Sequence, residues 1–168
     1  LPGTPAVANM SFSGPVNQAL DDAVQHVIDD GISVVIAAGN GTDNDFRAVD
    51  ACGFSPGRVA EAMTMGATTS KDQKATFSNY GPCVDWFAPG ASITSAYDWQ
   101  DDDPATTDAF ATMNGTSMAT PHTAGVVALY LEAHPAAAPA TVREALYAAT
   151  TKGIVKSSRS TNNHLLYS

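Results

Sequence analysis

The stretch Ile32-Ser33-Val34-Val35-Ile36-Ala37-Ala38, residues 32–38, decides the fold. It carries no charge and is rich in β-branched side chains, the composition of a strand buried on both faces, as strands of parallel sheets are. Upstream, Val16, Leu20, Ala23, Val27 and Ile28 fall on one stripe of a helix, and Gly31 stands where that helix must end. Before the helix lies another short apolar run, residues 6–12. Strand, helix, strand is a βαβ unit with a right-handed crossover, so the chain opens as an α/β fold with a mostly parallel sheet.

Further strands are predicted at Ala60–Gly66, Lys74–Ser78, Val84–Phe87, Ile93–Tyr97 and Phe110–Met113, in a region punctuated by Gly and Pro. From Met118 to Ala133 polar side chains almost vanish, which predicts a helix buried all round, stopped by His134-Pro135. Val142, Ala145, Leu146 and Ala149 mark a last amphipathic helix, with Pro139 at its start and Gly153 beyond its end. There is no internal repeat and no linker, so residues 1–168 read as one unit.

With 168 residues the chain is long enough to bury a sizeable core, and 44% hydrophobic residues place it among globular proteins. Its 17 acidic against 8 basic side chains, a net charge of −9, lack the basic footprint that nucleic acid requires. The acids gather at Asp21-Asp22, Asp29-Asp30, Asp43–Asp45 and Asp101–Asp103, expected to be solvated faces and loops. No apolar run reaches the roughly 20 residues of a membrane span. Cys52 and Cys83 sit in turn-rich sequence without metal-site spacing. A bridge between them would close a loop of about 30 residues and stabilise by about 3–4 kcal/mol; two free thiols are the alternative.

Chemistry enters with Asn114-Gly115-Thr116-Ser117-Met118-Ala119-Thr120-Pro121-His122, which seats a serine at the entrance of the apolar helix. A serine hydroxyl is a weak nucleophile and needs a base, exposure and donors for the oxyanion that forms. A helix N-terminus offers unpaired N–H groups and the positive end of the helix dipole. The plainer reading is that Thr116 or Ser117 caps the helix.

Four other motifs accompany this one in order: Val7-Ala8-Asn9-Met10-Ser11, Ala37-Ala38-Gly39-Asn40, Phe77-Ser78-Asn79-Tyr80-Gly81 and Phe87-Ala88-Pro89-Gly90. Together the five resemble the subtilisin-like serine proteases, within them the proteinase K branch, and most closely the aqualysin type. The resemblance implies a three-layer subtilisin-like fold. It implies Ser117 as nucleophile and Asn40 as side-chain donor to the oxyanion, beside the Ser117 N–H. It also implies that Ser11, Phe12, Ser13 and Gly14, with Ala37, Ala38, Gly39 and Gly115, bind a peptide or protein substrate. Phe12 and Ser13 depart from the commoner Ser-Leu-Gly-Gly pattern. A Cys52–Cys83 disulfide is implied too, and with it an oxidising, extracellular compartment. So is a structural Ca²⁺ held by Asp85 and the carbonyls of Ala60 and Ala62, a hard-oxygen set suited to that ion.

In this family the order along the chain is Asp, His, Ser, so base and carboxylate should both precede Ser117. The one upstream histidine, His26, lies on a helix without a His-Gly-Thr context. His122 is off the face of Ser117, and His134 and His164 read as a helix end and a polar tail. The expectation is therefore the C-terminal portion of a catalytic domain, incomplete at its N-terminus. It would be an endopeptidase in class, inactive by itself, and completed by upstream polypeptide and a propeptide. The competing expectation is a peptide-binding scaffold that keeps the fold without the base.

Overall fold

The computed structural model describes residues 4–42, 47–97 and 110–166. Strand β1 (Val7–Met10) and the short β2 (Gly14–Pro15) lead into helix α1 (Gln18–Asp29) and strand β3 (Ser33–Ala37). There follow β4 (Phe54–Ser55), β5 (Met63–Thr68), β6 (Trp86–Pro89), β7 (Ile93–Ala96) and β8 (Phe110–Met113). Helices α2 (Thr116–Ala133) and α3 (Pro139–Ala149) and strands β9 (Thr151–Lys152) and β10 (His164–Leu165) complete the order.

The main sheet runs β1-β3-β5-β6-β10-β9. Its pairings are parallel except β9 with β10, with Val35 opposite both Asn9 and Met63 at its centre. Alternation along β3 feeds two cores. Val35 joins Met65, Trp86, Val127, Leu131, Val142 and Leu146 under α2 and α3, while Val34 and Ile36 join Val24 and Ile28 under α1. The fold is thus three-layered, α1 on one face of the sheet and α2 with α3 on the other. Each fully buried aliphatic or aromatic side chain contributes about 1.5–3 kcal/mol by leaving water. At Gly66 the β5–β6 pair is so close that a Cβ would overlap the Phe87 ring.

Helix α1 begins where Asn17 accepts from the Leu20 N–H (3.2 Å). It ends as Gly31 takes a φ of +90° and the Gly31 and Ile32 N–H groups close on the Ile28 and Val27 carbonyls, the hydrogen-bond pattern of a Schellman cap. Its inner stripe is Leu20, Val24, Val27 and Ile28, whereas Val16 lies before the helix and is 54% exposed. Asp21 is no solvated acid: it is buried and paired with Arg58 Nε at 2.9 Å. Asp22, Asp29 and Asp30 are exposed as expected, and the acid clusters at 43–45 and 101–103 lie outside the described residues.

Two further expectations fail. Lys74–Ser78 forms no strand beyond a single bridge from Lys74 to Thr68. There the Ser78 N–H turns back to the Ala75 carbonyl (3.0 Å), and the buried Lys74 ammonium donates to the Ala75 and Ser78 carbonyls at 3.0 and 2.8 Å. Burial, with repulsion from Arg159 second, lowers the Lys74 pKa. Nor is α2 buried all round. Ala119, Thr123, Val127 and Leu131 face the sheet, but Pro121, His122, Gly125 and Leu129 are exposed. The other strand candidates appear with shifted ends, and Phe110–Met113 as expected.

Candidate active site

Asn40 stands just past the carboxyl end of β3, where open α/β sheets carry their sites. Gly39 makes the turn with a φ of +97°, and a Cβ there would meet Asn79 Nδ2 at 2.6 Å and Ser13 Oγ at 2.9 Å, so the turn requires glycine. Asn40 Oδ1 accepts from the Thr116 N–H (2.8 Å) and from the Thr116 hydroxyl (2.9 Å), which in turn accepts from the Gly39 N–H (3.1 Å). An N–H can only donate, so it is the amide oxygen of Asn40 that faces Thr116.

Ser117 is the second residue of α2, after Gly115, which supplies no side-chain cap. Neither Thr116 nor Ser117 caps this helix: Asn40 does so from the turn after β3. Pro121 lies inside the helix and has no N–H to give the carbonyl four residues back, that of Ser117. The Ser11 hydroxyl takes that place at 2.9 Å, while the Ser117 hydroxyl donates to the Ser11 carbonyl, also at 2.9 Å. Asn9 Nδ2 holds the Ser11 hydroxyl at 3.0 Å. The end of β1 and the start of α2 are thus locked together.

Asn40 and Ser117 open on a cavity of about 350 Å³ whose walls include Phe12, Ser13, Ala37, Gly39, Thr116 and Phe54. Ser11 is not part of that lining and reaches Ser117 only through their paired hydrogen bonds. Ala38 is fully buried with its carbonyl turned to Asn79 Nδ2 (2.9 Å), Gly14 is paired with Ser55 in the β2–β4 ladder, and Gly115 packs against the Asn40 amide. These three stand outside the cavity lining. Phe54 was invisible to sequence reasoning because only the two-residue β2–β4 pairing brings it there. Thr116 had a signal, its place in the serine motif, but was read only as a cap.

No histidine meets Ser117. His122 Nδ1 bonds the Met118 carbonyl of its own helix (2.8 Å), His134 does the same with Tyr130 (3.1 Å), and His164 contacts Thr150 (3.0 Å). His26 is on α1, across the sheet from α2. A second cavity of about 520 Å³, lined by Ile93, Tyr97, Met113, Met118, Pro121 and His122, lies between α2 and the β7–β8 hairpin.

Cys52 and Cys83 form a disulfide, which removes the free-thiol alternative. Close by, Asp85 is buried, with one oxygen accepting from the Thr64 N–H (2.8 Å) and the other paired with the Arg143 guanidinium. Burial pushes the Asp85 carboxyl above its ordinary range, with Arg143 and the Thr64 N–H pulling against it. A cavity of about 130 Å³ adjoins it, lined by Ala60, Cys83, Asp85 and Arg143 among others, but not by Ala62. The donor set suits a hard cation only in exchange for Arg143, and among the described residues no three His, Cys, Asp or Glu side chains cluster as metal ligands. Also among the described residues, no helix is long and apolar enough to cross a membrane.

The chain is 52% identical over 164 residues to an extracellular serine proteinase of Thermus sp. (strain Rt41A), covering 97% of this chain and 37% of that protein. It is 46% identical to alkaline serine exoprotease A of Vibrio alginolyticus, covering 98% of this chain and 28% of that one. The crystal structure of a cold adapted subtilisin-like serine proteinase superposes with a TM-score of 0.88 at 44% identity, over 98% of this chain and 55% of the other. The chain therefore spans well under two thirds of each of these proteins. The model of the Subtilase family matches residues 2–165, and with the Ser117–Asn40 arrangement at the carboxyl end of a parallel sheet, the chain belongs to that family.

Proposed function

We propose that this chain is the serine-bearing portion of an endopeptidase that works through an acyl-enzyme. The observation that carries the reading is Asn40: its oxygen is committed to Thr116, and among the described residues its NH2 has no acceptor, which leaves it to serve the cavity that Ser117 borders. In the proposed reaction Ser117 Oγ attacks the scissile carbonyl and gives its proton to a histidine. Asn40 Nδ2 and the Ser117 N–H hold the oxyanion. The histidine returns the proton to the leaving amine, and water then releases the acyl group. The side chain before the cut bond would enter the 350 Å³ cavity between Phe12 and Phe54.

The histidine and its carboxylate partner are proposed to come from polypeptide outside these 168 residues, seated over the exposed side of α2, with a propeptide assisting assembly. By itself the chain would be inactive, its serine proton resting on the Ser11 carbonyl. The disulfide and the extracellular Thermus relative support a secreted protein. A structural Ca²⁺ at Asp85, with the carbonyls of Ala60 and Ala62, belongs to the proposal as the competitor of Arg143.

A fluorophosphonate reagent tests the reading. It should label the full-length protein at Ser117, and the labelled protein should lose the power to cleave casein. A full-length protein that neither labels nor cleaves is a peptide-binding scaffold instead.

A further inference from the structure

We propose that Asn79 is the positioning residue of the oxyanion donor, holding the backbone on both sides of Asn40 so that its amide stays aimed at the cavity. The inference rests on the proposed role of Asn40. Asn79 is fully buried, and its backbone N–H and both ends of its side-chain amide bond the turn that carries Asn40. Its backbone N–H donates to the Gly39 carbonyl (3.0 Å) and its Nδ2 to the Ala38 carbonyl (2.9 Å). Its Oδ1 accepts from the Gly41 N–H and the Val49 N–H, both at 3.0 Å. Asn40 is the residue between these contacts, and Asn79 binds the chain before it and after it without lining the cavity itself.

The clamp has a rigid mount. Ser78 Oγ accepts from the Ala67 N–H of β5 (2.9 Å) and donates to the Asn79 carbonyl (3.0 Å), while the Lys74 ammonium grips the Ser78 carbonyl. Buried polar groups so fully satisfied rigidify what they hold. Thr116 fixes which way the Asn40 amide is flipped, and Asn79 fixes where the turn that carries it stands. Aspartate cannot replace asparagine here without setting a carboxylate oxygen against the Ala38 carbonyl. Neither serine nor alanine has the reach to span both sides of the turn.

The full-length protein carries the test. In Asn79→Ala, kcat on a peptide substrate should fall by about 10- to 100-fold with KM nearly unchanged, the cost of misplacing a catalytic group. In an Asn40→Ala background the same change should cost less than about threefold, because the group it positions is gone. Equal losses in both backgrounds, or a loss confined to KM, would overturn the proposal. If the alanine variant does not fold, Asn79→Asp keeps the acceptor for Gly41 and Val49 and should still show the kcat loss. Amide hydrogen exchange needs no turnover: Gly41 and Val49 should lose protection in Asn79→Ala while β5 keeps its own. Unchanged protection there would defeat the clamp, whereas lost protection in a protein with no peptidase activity would leave the clamp standing and remove the peptidase reading.

Discussion

At the scale of single residues the site is a chain of donors and acceptors whose directions are set by the backbone N–H groups at its two ends. Thr116 is the hinge of it. Its backbone N–H and its hydroxyl both point at Asn40 Oδ1, and the same hydroxyl accepts from the buried Gly39 N–H. Thr116→Val keeps the shape and the backbone donor but removes the hydroxyl, leaving the Gly39 N–H without its partner. An unsatisfied buried donor costs about 1–3 kcal/mol. Urea unfolding should show that loss, and Thr116→Ser should restore most of it. A valine variant as stable as the parent would mean that the Gly39 N–H finds another acceptor. Ser117 and Asn40 were legible from the sequence because their motifs are contiguous. Asn79 lay inside a motif that served only for comparison, since nothing local in Ser78-Asn79-Tyr80 says that its side chain crosses to the end of β3.

At the scale of elements, legibility followed the range of the forces involved. The βαβ start could be read because β3 is apolar on both faces and α1 carries its own stop in Gly31. Lys74–Ser78 misled because alternation suggests a strand, whereas a buried ammonium bonding two nearby carbonyls bends the chain instead. The β2–β4 ladder was invisible, as two-residue strands have no period. Arg143 carried no signal in the sequence, yet it ties α3 to Asp85 in the segment entering β6. A buried carboxylate needs a counter-charge, and either the guanidinium or a calcium ion can supply it. Thermal unfolding with calcium and with a chelator decides between them. In the parent, chelation should shift the midpoint little. In Arg143→Gln, calcium should become the available partner of Asp85, and chelation should lower the midpoint by several degrees, as a loss of about 1 kcal/mol does in a domain of this size. A large chelator effect in the parent with none added by the substitution would assign Asp85 to calcium outright.

At the scale of the whole molecule the informative mismatch is α2. Its sequence has no polar face, and a helix of that kind is stable in water only when covered on all sides. The sheet covers one side, but Leu129 remains 65% exposed, with Pro121, His122 and Gly125 exposed on the same helix. In the sheet layer β1 is the edge strand, and among the described residues its outer backbone ladder is open to pairing. Exposed apolar surface and an open edge both favour association, and the net charge of −9 opposes it. Salt weakens the opposing term alone, since the screening length shrinks from about 30 Å at 0.01 M to about 8 Å at 0.15 M. The 168-residue chain in isolation should therefore sediment as a self-associating species whose mass rises with salt. Leu129→Gln should move it toward monomer by weakening the apolar contact without touching the sheet. If the parent instead stays monomeric across that salt range, the outer side of α2 is tolerated in water as it stands. The full sequence pattern of the helix would then be no sign of a covering polypeptide.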